Sequence, residues 1–128
     1  MSFNWAEYLD LAYELVNIPT MNPAGREAHQ RAAMSRAYYA AYKIALNIAQ
    51  TSDQYVATSG VSVHRALVAH FRATTDPRRQ DVAKNLERLL EYRRAADYND
   101  FIAPKLIARD TAMGLQLATH LLAKLARL

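Results

Sequence analysis

The run Ser35-Arg-Ala-Tyr-Tyr-Ala-Ala-Tyr42 lies within residues 32–50, a stretch that combines many alanines with large aromatic side chains. Alanine has the highest helix propensity, and its small side chain lets neighbouring helices approach closely. The three tyrosines add large apolar bodies whose hydroxyls need hydrogen-bond partners where they are buried. We therefore predict that this stretch is the long central helix of a single all-helical domain covering residues 1–128.

Apolar residues recur at spacings of three and four elsewhere in the chain, and capping residues or prolines mark most helix ends. The pattern predicts helices over residues 4–16 and 24–50, the second preceded by Asn22 and Pro23. It predicts a third helix over residues 63–72 capped by Ser62, and a fourth that follows Asp76 and continues to residue 96. Residues 58–60 are predicted to form a loop, and a fifth helix is predicted from Pro104 to the end. The predicted fold class is an all-α bundle of four or five helices, mostly up-and-down.

Several functional classes are excluded by residues that the sequence lacks. The chain contains no cysteine, which excludes a disulfide framework, a thiolate metal site and a cysteine nucleophile. No stretch approaches the ~18 apolar residues of a membrane span, and the N-terminus lacks the layout of a signal peptide. Metal-ligand spacing, a glycine-rich phosphate loop and a nucleophile elbow are absent. We therefore expect a soluble cytoplasmic protein with no metal, no cofactor and no membrane contact.

Positive charge is concentrated in the middle of the chain. Residues 65–94 carry eight basic and four acidic side chains, whereas residues 1–64 carry four and five. Such a surplus can form a surface for phosphate, nucleic acid or an acidic partner protein. The alternative is a solvated helix face, because acidic residues are interleaved with the arginines as helical ion-pair partners.

Three landmarks follow one another along the chain. They are the run from Arg36 to Ala40, His64 near the start of a predicted helix, and the segment Arg93-Arg-Ala-Ala-Asp-Tyr98. Together they resemble the HEPN superfamily, the small helical bundles named for higher eukaryote and prokaryote nucleotide-binding proteins. The resemblance covers about half the chain and implies a HEPN-like bundle that forms a homodimer.

The resemblance also implies a function. Many HEPN proteins are metal-independent ribonucleases in which an Arg and a His from each subunit meet in a shared cleft. There the His exchanges a proton with the ribose 2′-hydroxyl or the leaving oxygen, and the Arg stabilises charge on the phosphate. We therefore expect a component of a toxin–antitoxin or defence module that acts on RNA, by cleaving or binding it. The alternative is a non-catalytic interaction subunit that partners a minimal nucleotidyltransferase or another effector.

The resemblance assigns candidate roles to six residues. The catalytic candidates are Arg93, Arg94, Asp97 and His64, and the candidate RNA contacts are Arg93, Arg94, Tyr98 and Arg88. Asp97 and Tyr98 stand where the family motif places its His, and a carboxylate there repels phosphate. His64 is thus the candidate for proton transfer, the alternative being a residue that packs against the tyrosine-rich helix. The missing motif His favours the interaction subunit, whereas the arginine surplus favours action on RNA.

Arg36, Asp97 and Tyr39 are predicted to be structural. An arginine on a mostly buried helix needs a partner because an unpaired interior charge costs several kcal/mol, and the resemblance indicates Asp97. This pair would tie the end of the fourth helix to the second, unless Asp97 serves catalysis or binds phosphate. Tyr39 is expected in the core rather than in a base-stacking platform. A literal Arg-x4-His occurs at Arg65 and His70, but a turn of about 140° should make these side chains diverge.

Overall fold

The computed structural model describes residues 2–19, 22–57 and 62–128, so the loop predicted at 58–60 lies outside the described residues. Within these ranges the chain forms five helices and no strand, which confirms the all-α prediction. The helices are α1 (Ala6–Asn17), α2 (Pro23–Ser52), α3 (Val63–Arg72), α4 (Pro77–Tyr98) and α5 (Pro104–Leu125). None of these described helices combines the length and the apolar character needed to cross a lipid bilayer.

Helices α2, α3 and α4 begin at the capping residues that the sequence indicates. The Asn22 side chain accepts a hydrogen bond from the Gly25 N–H at 2.7 Å, and the Asp76 carboxylate accepts one from the Arg78 N–H at 3.0 Å. Ser62 caps α3 in the same way. Proline occupies the first turn of α2, α4 and α5, where a backbone N–H has no helical partner to lose.

The end of α4 lies two residues beyond the predicted position, so Asp97 and Tyr98 belong to the helix rather than to the following connection. The Asn99 N–H donates to the Ala95 carbonyl at 3.1 Å and closes the last turn. An ion pair between Arg93 and Asp97, four residues apart, supports that turn from the side. Residues 93–98 are therefore helical throughout.

Helix α2 is the centre of the bundle, and α1, α4 and α5 pack against it, whereas α3 packs mainly against α4. Helix α2 contributes fully buried alanines to the core, namely Ala33, Ala37, Ala40, Ala41, Ala45 and Ala49. Hydrogen bonds between α2 and α4 join Arg31 to Ala96, Tyr39 to Arg93, and the α2 C-cap residue Asp53 to Arg79. The residue numbers rise along α2 while those of their partners fall along α4, so the two helices are antiparallel.

Helix α5 approaches α2 closely where Gly114 faces Met34. A Cβ atom added at Gly114 would overlap the Met34 thioether, whose residue is 1% exposed. The missing side chain therefore provides the space that Met34 fills.

Candidate functional site

Side chains from α2, α3 and α4 meet in one group, here called the His64 cluster and made up of Tyr38, Tyr39, Tyr42, His64 and Arg93. The Tyr38 hydroxyl lies 2.7 Å from Nδ1 of His64, and the centroids of the Tyr42 and His64 rings are 4.6 Å apart. Tyr38 is fully buried, whereas His64 is half-buried. The three sequence landmarks, far apart in the chain, thus form one contiguous group.

Arg93 is enclosed by this cluster rather than presented to solvent. Its Nη2 donates to the Tyr39 hydroxyl at 3.1 Å, and its Nε donates to the Asp97 carboxylate at 2.8 Å. The guanidinium carbon lies 5.3 to 5.8 Å from the ring centroids of Tyr38, Tyr39 and Tyr98, within the range of cation–π attraction. Its side chain is 11% exposed. The Arg93 charge is therefore paired and held in place within the cluster.

Burial and two nearby positive charges favour the neutral form of His64. Burial lowers the pKa of His64 below its ordinary value of 6.5, and the positive charges of Arg93 and Arg94 lower it further. Burial also raises the pKa of Tyr38 well above the usual range, so its hydroxyl keeps its proton. If Nδ1–H donates to the Tyr38 oxygen, the lone pair of Nε2 is able to accept a proton. In the other tautomer Tyr38 donates to Nδ1, and Nε2–H is a donor.

Three predicted RNA contacts lie in different surroundings. Arg94 is exposed and its guanidinium forms no hydrogen bond or ion pair with another described residue, yet its charge acts on His64. Tyr98 is 68% exposed and lies against Arg93. Arg88 borders a separate groove of about 280 Å³ between α4 and α5. The structure therefore brings Arg94 and Tyr98 to the cluster but places Arg88 elsewhere.

The predicted pair between Arg36 and Asp97 is wrong. Asp97 binds Arg93, and the exposed Arg36 places its guanidinium 5.2 Å from the centroid of the Tyr8 ring. Arg36 lies on a solvent-facing side of α2, so no interior charge needs compensation. A different residue makes the expected connection, because the Nη1 of Arg31 donates to the Ala96 carbonyl at 2.8 Å. The end of α4 is thus tied to α2 through a backbone carbonyl.

Arg65 and His70 diverge, as their spacing predicts. His70 faces the end of α2, where its Nε2 lies 2.9 Å from the Asp53 carboxylate, whereas Arg65 borders a pocket between α3 and α4. Asp53 also accepts two hydrogen bonds from Arg79, at 2.7 and 3.1 Å. Hydrogen bonds from Arg79 lower the pKa of Asp53. This network links three helix ends, and sequence reasoning missed it because its members are 17 and 26 residues apart.

The His64 cluster is the arrangement best suited to chemistry in the described residues. It combines a neutral imidazole, a buried hydroxyl that fixes one ring nitrogen, and the unpaired Arg94 nearby. Such a set can exchange a proton next to an anion. In the described part of the chain, no three His, Asp or Glu side chains gather as metal ligands. Comparison of the chain with protein-family models, curated proteins and solved structures found no match.

Proposed function

We propose that the chain is a HEPN-type domain of a toxin–antitoxin or defence module that binds RNA and cleaves it through His64, acting as a homodimer. The observation that carries this proposal is the contact between the buried Tyr38 hydroxyl and Nδ1 of His64, at 2.7 Å, with the charge of Arg94 close enough to lower the pKa of His64. The meeting of the three landmarks in one cluster supports the resemblance from which the proposal begins. In this proposal His64, on a neighbouring helix, takes the place of the motif His that the segment 93–98 lacks.

In the proposed reaction, Nε2 of His64 removes the proton from a ribose 2′-hydroxyl. The 2′-oxygen then bonds to the adjacent phosphorus while the bond to the 5′-oxygen breaks, giving a 2′,3′-cyclic phosphate and a 5′-hydroxyl. The 5′-oxygen takes a proton from water as it leaves, and His64 then releases the proton that it removed, which returns the imidazole to its neutral form. Arg94 stabilises the charge that develops on the phosphate oxygens.

Arg93 and Arg94 have different surroundings, so we assign them different roles. Asp97 already neutralises Arg93, which leaves Arg94 as the guanidinium available to a phosphate. Asp97 itself serves as the partner of Arg93, and its carboxylate is thereby turned from a phosphate-repelling charge into part of a neutral pair. Tyr98 lies next to this pair and is exposed enough to stack on an unpaired base.

The direct test is incubation of the purified protein with RNA in the presence of EDTA. We expect cleavage with cyclic-phosphate ends, a loss of at least 100-fold in His64→Ala, and a clear decrease in Arg94→Gln, because general acid–base catalysis contributes about 100-fold or more. Arg109→Gln is the matched control, since it removes one exposed positive charge on α5. Cleavage that persists unchanged in His64→Ala would overturn the proposed mechanism.

A second function is favoured by one further observation. Tyr98, at the end of α4, and Phe101, three residues later, are 68% and 82% exposed, so two aromatic side chains lie on the surface there. Such a surface, next to the neutralised Arg93, suits docking of a protein partner. In this alternative the chain is a non-catalytic subunit that binds a minimal nucleotidyltransferase. It would show no cleavage, and it would bind the neighbouring gene's product tightly, with binding lost in Tyr98→Ala or Phe101→Ala.

A further inference from the structure

A small pocket lies between α3 and α4, next to the His64 cluster but outside it. Its volume is about 130 Å³, and its floor is formed by Val68 and Leu90, which are 4% and 6% exposed. Arg65 and Arg94 stand on opposite helices at its rim. We propose that this pocket is a binding site for a single phosphate group, held between the Arg65 and Arg94 guanidiniums. A pocket of this size accommodates a tetrahedral oxyanion.

The charges around the pocket leave both of these arginines available. Arg72 also lines it, but Arg72 forms an ion pair with Glu87 from the opposite wall. The guanidiniums of Arg65 and Arg94 form no hydrogen bond or ion pair with any other described residue. Glu91 is the remaining acidic residue in the lining. Three guanidiniums and two carboxylates give a net charge of +1, and because Glu91 opposes an anion, it weakens the site without reversing its sign.

The position of the pocket connects it to proton transfer. Arg65 directly follows His64 on α3, and Arg94 directly follows Arg93 on α4, so the pocket and the His64 cluster use neighbouring residues of the same two helices. The Arg94 charge lowers the pKa of His64. An anion paired with Arg94 offsets that charge, so an occupied pocket makes His64 a stronger base. If the proposed function holds, on which this consequence rests, the occupant is the RNA phosphate whose charge Arg94 stabilises during cleavage.

Inorganic phosphate tests the pocket by itself. Titration of the protein with phosphate, followed by NMR at the His64 ring and the arginine Nε–H groups, should show saturable shifts and a rise in the pKa of His64. Potassium chloride at matched ionic strength should not produce them. Arg65→Gln should weaken phosphate binding at least fivefold, Glu91→Gln should strengthen it, and Arg109→Gln on α5 should leave it unchanged. Shifts that do not saturate, or that are the same in Arg65→Gln and Glu91→Gln, would overturn the site.

An RNA oligonucleotide distinguishes the source of the phosphate. If the site holds an RNA phosphate, Arg65→Gln should reduce the slope of log binding constant against log salt by about one, since one contact is lost. An unchanged slope, together with saturable phosphate binding, assigns the pocket to a free phosphate compound. If the protein binds phosphate but neither binds nor cleaves RNA, the phosphate site stands and the proposed function is overturned. If it cleaves RNA but does not bind phosphate, the proposed function stands and the phosphate site is overturned.

Discussion

The Tyr38 hydroxyl and the Nδ1 atom of His64 lie 2.7 Å apart, across the boundary between α2 and α3. Tyr38 is fully buried, whereas His64 is half-buried and lies near the charges of Arg93 and Arg94. The hydrogen bond fixes the ring nitrogen that faces the core and directs the second nitrogen away from it. Because burial and the two arginines disfavour the charged imidazole, this contact also affects how stability depends on pH.

The first prediction is that acidification from pH 7 to pH 5 destabilises the protein partly through His64. The pKa of His64 in the folded chain is below its ordinary value of 6.5, so the unfolded chain binds the proton first as the pH falls. Stability therefore decreases as the pH falls below 6.5 and stops decreasing, for this group, below the folded-state pKa.

Urea unfolding at the two pH values measures this effect in the wild type and in His64→Gln. We expect the variant to lose less stability on acidification, because glutamine binds no proton in either state. A loss of the same size in both proteins would show that His64 titrates alike in the folded and unfolded chains.

The second prediction concerns two arginines of α2. Arg31→Gln should lower the free energy of unfolding by about 2 kcal/mol, because a hydrogen bond from a charged donor to the Ala96 carbonyl is lost. Arg36→Gln should change it by only about 0.5 kcal/mol, since its exposed cation–π contact with Tyr8 is weak. Thermal and urea unfolding followed by circular dichroism compare the two. Equal losses would contradict the assignment of the α2–α4 link to Arg31.

The third prediction is that Asp53→Asn is strongly destabilising. Asp53 and Arg79 are 12% and 16% exposed, and Arg79 retains only its ion pair with Asp76 when the Asp53 charge is removed. We expect a loss of about 2 kcal/mol, because the hydrogen bonds that Asp53 accepts from Arg79 are bonds between charged groups. Asp110→Asn is the control, because its pair with Arg109 is more exposed and should contribute only about 0.5 kcal/mol. Similar losses in the two variants would mean that the Asp53 network contributes no more than a surface pair.

The fourth prediction is that Gly114 and Met34 are energetically coupled. Gly114→Ala should cost about 1 to 3 kcal/mol in the wild type, because the new methyl group collides with the buried thioether. In the Met34→Ala background the methyl group has space, and the higher helix propensity of alanine should make Gly114→Ala stabilising by about 1 kcal/mol. A double-mutant cycle by urea unfolding measures the coupling. Additive effects would show that Met34 moves aside at no cost.

The helix ends were largely predictable because short-range chemistry decides them. The side chains of Asn22, Ser62 and Asp76 accept hydrogen bonds from N–H groups two or three residues later, and the following proline or apolar pattern shows the direction of the helix. The end of α4 was less predictable, because the last turn depends on the pair between Arg93 and Asp97.

The candidate site was predictable only in part. The resemblance named His64 and Arg93, but not the roles that separate Arg93 from Arg94, which depend on the Asp97 contact. The choice between Arg31 and Arg36 also could not be made from the sequence. These two residues are five positions apart and point about 140° away from each other, and an alanine-rich helix shows little apolar contrast to mark its buried face.

Helix α3 is attached to the bundle unevenly. Its ten residues pack mainly on α4, and its hydrogen bonds to α2 and the α2 cap run through His64 near one end and His70 near the other. A segment held in this way can open as a unit without disturbing the contacts among the remaining helices. Amide hydrogen exchange should therefore be faster in α3 than in α2. The same opening would carry His64 away from Tyr38, so that the lifetime of α3 in its closed state sets how long the imidazole stays oriented.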